Sequence, residues 1–120
     1  MAENLEKTIL SILEDMKGQD IVCLDVRSLT DVMDSVIIVS GTSNRHVKSL
    51  AEKVIEKLKQ AEQPPLGIEG LDEGEWVLVD CGDVVLHSML PETRRFYDLE
   101  RLWSVPAGVV ENKGSEERES

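Results

Sequence analysis

Three residues of the chain, Asp80, Asp83 and His87, are of types that transfer protons or bind metal ions. Side chains on one face of an extended strand are two residues apart. Asp80 and Asp83 are three apart, and Gly82 lies between them. We therefore expect Asp80 to end a strand, Asp83 to form a turn and His87 to be a half-buried, hydrogen-bonded strand residue. This spacing predicts no catalytic pair and no metal site.

The turn Gly41-Thr42-Ser43 lies between a predicted strand and a predicted helix, where backbone N–H groups can bind phosphate. It lacks the glycine spacing and the lysine of a P-loop, and the glycine spacing of a dinucleotide motif. A nucleotidyltransferase also needs two carboxylates on one strand, separated by one residue, and the predicted strands 76–80 and 84–89 contain no such pair. An ordinary helix N-cap is the favoured interpretation. A degenerate nucleotide-binding site is the alternative.

The remaining reactive residues do not form a catalytic pattern. Cys23 and Cys81 lie in or beside apolar runs and far apart in sequence, which predicts buried free thiols. His46 follows the predicted start of a helix and is expected to be exposed to solvent. No cysteine has a base close to it in sequence. The sequence therefore predicts a protein that is not an enzyme and needs no cofactor.

The stretch RRFYDLERLW, residues 94–103, holds three of the four aromatic residues of the chain. On one continuous helix Phe96, Leu99, Leu102 and Trp103 share an arc of about 120°, while Tyr97 points about 100° away from Phe96. We expect the arc to pack on a sheet and Tyr97 to face a partner, because Tyr, Trp and Arg dominate binding hot spots. Trp103 and Trp76 fit either the core or an interface.

Composition restricts the classes of partner. The 120 residues carry a formal net charge of −11, with 41% hydrophobic and 31% charged residues, as in a globular domain. Such an acidic chain is repelled by phosphate backbones, so sequence-specific nucleic-acid binding and anionic membranes are disfavoured. A basic protein partner is favoured. The sequence shows no signal peptide and no membrane span, which predicts a cytoplasmic location.

Hydrophobic periodicity predicts the order helix, two strands, helix, three strands, helix. The predicted strands are 21–24 with Val26, 35–39, 66–69, 76–80 and 84–89. Helices are predicted before Gly18, from the turn at residues 40–44 until before Pro64-Pro65, and from Pro91 until Pro106. The fold class is α/β, or α+β mixed, with a sheet of about five strands and helices packed on it. Residues 1–106 form the predicted single domain, and residues 107–120 a charged, disordered tail.

Several blocks of this sequence resemble the RsfS (Iojap) family of ribosomal silencing factors. They are LDV after Gly18-Gln19-Asp20, DSVIIVSGTSNRHV at 34–47, GIEG at 67–70, WVLVDCGDVVLH at 76–87 and RRFYDLERLW at 94–103. The resemblance covers residues 17–104 in the family's order and spacing. The first helix and the residues after Pro106 carry none of it.

The resemblance implies a domain similar to the nucleotidyltransferase fold without its catalytic carboxylates. It also implies a translational repressor that binds ribosomal protein L-fourteen on the large subunit and blocks joining with the small subunit in starvation or stationary phase. A role in assembly of the large subunit is the alternative at the same site, and the free protein is expected to form dimers. Partner-binding residues carried over onto the matching blocks are Trp76, Asp80, Asp83, His87, Met89, Arg94, Arg95, Tyr97, Leu99, Glu100 and Trp103.

Overall fold

The computed structural model describes the backbone of residues 2–104 and the side chains of residues 4–102. Five strands and four helices follow one another as α1 (Ala2–Asp15), β1 (Gln19–Asp25), β2 (Ser35–Ser40), α2 (Asn44–Gln60), β3 (Gly67–Glu69), β4 (Trp76–Asp80), β5 (Val84–Met89), α3 (Pro91–Tyr97) and α4 (Leu99–Ser104). The mixed α/β class and the five strands are those that the sequence predicts. The predicted tail, 107–120, lies outside the described residues.

The strands form one sheet in the order β1-β2-β5-β4-β3. β2 and β5 pair in parallel, and the other three pairs are antiparallel. Every residue of these two central strands is buried, which explains why both read as largely apolar runs rather than as alternating apolar and polar residues.

One face of the sheet, here the covered face, packs against α1 and α2. Its core is a continuous cluster in which Ile9 and Leu13 of α1 and Leu50 and Val54 of α2 meet sheet residues such as Leu86. The α2 residues at positions 47, 50, 51, 54, 55 and 58 are all buried, because the helical period places them on one stripe.

The opposite face, here the open face, carries a smaller cluster of Val26, Val36, Ile38 and Met89. Leu24, Met33, Trp76 and Leu99 pack against this cluster while remaining partly exposed. Register places Trp76 beside Met89 and Leu78 beside His87 on this face. The two short C-terminal helices are the elements that reach it, and they leave part of it uncovered.

The two cysteines differ in exposure to solvent. Both thiols are free among the described residues, and Cys81 is half-buried. Cys23 is exposed, so the prediction of a buried thiol is wrong there. The reason is topological: β1 is an edge strand, and an apolar run in the sequence does not show which strand lies at the edge.

Candidate partner-binding surface

Three aromatic side chains meet on the open face and are called here the aromatic cluster: Trp76, Phe96 and Tyr97. The ring centroids of Trp76 and Tyr97 are 4.7 Å apart with the planes tilted by 47°. Phe96 and Tyr97 meet edge-on at 4.9 Å. Phe96 is 80% exposed and Tyr97 54% exposed. Contacts of this geometry are favourable, and yet the cluster leaves much of its apolar surface in water.

Trp76 is positioned by the turn that precedes β4. Gly70 and Gly74 have φ of 81° and 74°, in the left-handed region that favours glycine. A Cβ on Gly70 would lie 2.1 Å from the carbonyl oxygen of Trp76, so no larger residue fits there. The indole Nε1–H donates a hydrogen bond to Nδ1 of His87 at 2.9 Å. The polar edge of Trp76 is therefore directed towards the sheet.

His87 supports Trp76 from inside the sheet. Burial lowers the pKa of His87 to about 4, from an ordinary 6.5. Because the indole N–H can only donate, Nδ1 of His87 is the acceptor and the imidazole proton is on Nε2. A neutral, 8% exposed histidine in this place acts as a structural acceptor, as the sequence predicts for a hydrogen-bonded strand residue.

The last helix is not continuous, which corrects the sequence-based prediction. Asp98 separates α3 from α4 and has φ 52° and ψ 51°, a conformation that Asp tolerates better than most residues. The break turns α4, so Phe96 and Leu102 no longer share an arc with Leu99. Leu102 is 66% exposed, whereas Leu99 packs against the open-face cluster.

Arg94 and Glu100 bond each other across the break. Nε and Nη2 of Arg94 donate to the two carboxylate oxygens of Glu100 at 2.9 and 3.0 Å, and Nη1 donates to Ser40 Oγ at 2.8 Å. The hydrogen bonds from Arg94 lower the pKa of Glu100. Arg94 is 7% exposed, so this bidentate pair fixes α4 to α3 and β2. The prediction that both residues face a partner is replaced, for Arg94, by an internal role.

Met89, Arg95 and Trp103 are three further predicted contact residues. Met89 is fully buried, so a direct contact between its side chain and a partner is excluded in this conformation. Arg95 is exposed and remains a predicted contact. The side chain of Trp103 lies outside the described residues.

Asp80 and Asp83 form the β4–β5 turn, as their spacing predicts. Oδ1 of Asp80 accepts a hydrogen bond from the N–H of Gly82 at 2.9 Å, and Gly82 has φ of 88°. Asp83 is exposed, and its carbonyl oxygen accepts from the N–H groups of Asp34 and Ser35. Across the described residues no three His, Cys, Asp or Glu side chains converge as metal ligands.

The Gly41-Thr42-Ser43 turn uses its polar groups internally. Ser43 Oγ accepts from the N–H of His46 at 3.1 Å, which is an ordinary N-cap. The N–H of Thr42 donates to Nδ1 of His46 at 2.9 Å, and Nε2 of His46 lies 2.9 Å from the carbonyl oxygen of Met16. His46 thus links α2 to the end of α1, and the prediction that it is simply exposed is wrong.

Sequence reasoning missed two features of this surface. It placed Phe96 in the core, because a continuous helix was assumed. It also gave no role to three glutamates beside Trp76. Glu69 ends β3, and Glu73 and Glu75 lie in the turn before β4. The sequence signal for these glutamates was their number within and beside the Gly70–Gly74 turn.

In the described part of the chain, no helix is long and apolar enough to cross a membrane.

Comparisons with known proteins give one consistent result. The family model RsfS, described as "Ribosomal silencing factor during starvation", matches residues 1–120. A ribosomal silencing factor RsfS of Chromobacterium violaceum is 50% identical over 101 residues, which are 84% of this chain and 83% of that protein. A mouse protein named mitochondrial assembly of ribosomal large subunit protein 1 is 38% identical over 100 residues, covering 81% of this chain and 44% of that protein. A crystal structure of a Chromobacterium violaceum protein has a TM-score of 0.84 at 48% identity, covering 87% of each chain.

Proposed function

Because this chain belongs to the RsfS family of ribosomal silencing factors, we propose that it represses translation by binding the large ribosomal subunit. The contact is made with ribosomal protein L-fourteen, and the bound protein sterically prevents the small subunit from joining. Repression operates in starvation or stationary phase, in the cytoplasm, and requires no catalysis.

The observation that carries this proposal is the aromatic cluster. Phe96 and Tyr97 are more than half exposed, although burying such side chains would stabilise the fold by about 1.5–3 kcal/mol each. Apolar surface that a fold leaves in water at one place is typical of a site for a protein partner. Tyr97 and Trp76 are also residue types that dominate binding hot spots.

Charge supports the same class of partner. The formal net charge is −11, so the chain is attracted to a basic protein and repelled by the rRNA phosphates around it. Repulsion from RNA disfavours wrong docking positions, which gives specificity in addition to attraction. The small subunit and this 13.4 kDa protein then compete for one face of the large subunit, and their relative affinities decide the outcome.

Sedimentation of purified ribosomal subunits with increasing amounts of the protein tests the proposal. We expect co-sedimentation with the large subunit alone and depletion of joined ribosomes. A Tyr97→Ala variant should need a higher concentration for both effects. A Leu66→Ala variant, altered at a residue elsewhere that is 77% exposed, should behave as the wild type. Absence of binding to either subunit would overturn the proposal.

A second candidate is a role in assembly of the large subunit at the same site, which the name of the mouse relative supports. Binding to large subunits without inhibition of joining would favour this candidate over silencing. The free protein is also proposed to form a homodimer, as the family resemblance implies. Analytical ultracentrifugation of the purified chain tests that point separately.

A further inference from the structure

A cleft borders the aromatic cluster and is called here the acidic cleft: it lies between Glu69, Glu73, Glu75, Trp76 and Tyr97. Its volume is about 340 Å³, and it is open to solvent on one side. Three carboxylates and two aromatic rings therefore border one space. The rings offer apolar contact and negative π faces, and the carboxylates offer acceptors with full negative charge.

The three carboxylates have no cationic partner within the described part of the chain. Ion pairs there join Arg27 to Asp25, Lys53 to Glu56 and Arg94 to Glu100, and none involves the cleft. The cleft therefore keeps negative charge available at a position where the fold does not use it.

The backbone that carries these glutamates is fixed before any partner arrives. The carbonyl oxygen of Glu73 accepts from Nδ2 of Asn44 at 3.0 Å, and that of Glu75 accepts from the N–H of Leu90 at 3.0 Å. Gly74 N–H closes the turn onto the carbonyl oxygen of Gly70 at 3.1 Å. A preorganised loop loses little conformational entropy on binding, so its charges contribute more fully to affinity.

The arrangement selects a cationic side chain rather than a metal ion. The cleft carboxylates are not among any described group that converges closely enough to hold a metal. A guanidinium is planar, stacks on aromatic rings and donates to more than one carboxylate at once. The bordering groups of the cleft match those three properties.

We propose that the acidic cleft receives an arginine side chain of a basic protein partner, stacked against Trp76 or Tyr97 and hydrogen-bonded to the glutamates. This inference rests on the proposed function, since it specifies how the same surface recognises a ribosomal protein. The acidic cleft adds a position that recognises positive charge to a contact that is otherwise apolar.

The test compares two double variants of the full chain in binding to purified large subunits. Glu73→Gln with Glu75→Gln removes two charges from the cleft, and Glu14→Gln with Asp15→Asn removes two charges from the exposed side of α1. We expect the cleft variant to bind about tenfold or more weakly, with a reduced dependence on salt. The α1 variant should bind within about twofold of the wild type.

If the wild type binds large subunits and both double variants bind equally well, the cleft inference is wrong while the proposed function stands. If the wild type binds no large subunit, the proposed function fails, and a second measurement decides the inference. N-acetyl-arginine amide is titrated into the protein, and the indole N–H signal of Trp76 is followed by NMR after assignment with a Trp76→Phe variant. A saturable shift that the neutral isostere N-acetyl-citrulline amide does not produce supports the cleft, and equal responses to both compounds overturn it.

Discussion

The two faces of the sheet differ in how completely the chain covers them. Fifteen buried residues of α1, α2 and the strands form the cluster on the covered face, and four form the cluster on the open face, as far as the structure describes the chain. The open face is completed by α3 and α4, which are short, joined at a break and held by a polar pair rather than by a wide apolar stripe. The comparison indicates a division of roles: the covered face stabilises the fold, and the open face carries the aromatic surface that we propose binds a partner.

The largest effect that this comparison implies is on stability, at the centre of the covered face. Leu50 is fully buried, and Leu50→Ala should lower the free energy of unfolding by about 2–5 kcal/mol, because it removes apolar contacts and leaves a cavity. Urea unfolding measures this change. Leu66→Ala, at a residue 77% exposed, is the control and should change stability by less than about 0.5 kcal/mol. Similar losses in both variants would contradict the assigned difference in packing.

A pH effect should come from the open face, through His87. The pKa of His87 is about 4 in the folded protein and 6.5 ordinarily. Below pH 6.5 the imidazole is therefore protonated in the unfolded chain while it stays neutral in the folded protein. The contribution of His87 to the free energy of unfolding is therefore complete above pH 6.5. It is lost as pH falls towards 4, by about 3 kcal/mol in total.

Urea unfolding of the wild type and of His87→Gln at pH 7 and pH 4.5 isolates this contribution. Glutamine retains an acceptor for the Trp76 indole but does not titrate. The wild type should lose more stability than the variant over this pH interval. An identical loss in both proteins would show that His87 is not the group responsible.

The next effect is on binding, and it sharpens the contrast between the faces. Tyr97→Ala should weaken binding to the large subunit by about 2 kcal/mol, roughly 30-fold. Since Tyr97 is 54% exposed, the melting temperature should change little. Tyr97→Phe, which keeps the ring contact with Trp76, is the matched control and should retain most of the affinity. A large loss of stability in Tyr97→Ala would place this residue with the core instead.

The smallest effect tests the polar pair that holds α4. Glu100→Gln should lower the free energy of unfolding by about 1–2 kcal/mol, because the buried Arg94 keeps one acceptor but loses the charged partner. The value is moderate since the Glu100 side chain is 36% exposed and partly screened.

The same variant also separates positioning from direct contact. If Glu100 acts through Arg94, binding should weaken in proportion to the loss of order in α4, and hydrogen exchange of the α4 amides should become faster. Weaker binding with unchanged exchange would indicate instead that Glu100 touches the partner.

Much of the fold could be read from the sequence because its strongest patterns are local. The helical stripe from Val47 to Leu58 gave α2, and the β-branched run at 35–39 gave β2, which the structure extends to Ser40. The spacing of Asp80 and Asp83 around Gly82 correctly indicated a turn. These features depend on neighbouring residues alone.

The site was less predictable because its residues meet through tertiary contacts. The break at Asp98 depends on a left-handed conformation that a helical wheel does not contain, and it moved Phe96 from an expected core position to the surface. Methionine is a residue type that occurs at interfaces, and only the strand order shows that Met89 is fully buried. The pairing of Arg94 with Glu100 likewise requires the turned position of α4.

The sequence by itself determined the element order, the acidic charge, the absence of a recognisable catalytic motif in the printed chain and the resemblance to ribosomal silencing factors. These properties are visible in periodicity, composition and turn residues, most of which involve residues within a few positions of one another. The tertiary structure alone decided which face of the sheet is covered, which aromatic residues remain in water, and which charged residues bond each other. Those outcomes follow from strand order and from the direction in which the chain leaves Asp98, and both bring together residues that are distant in sequence.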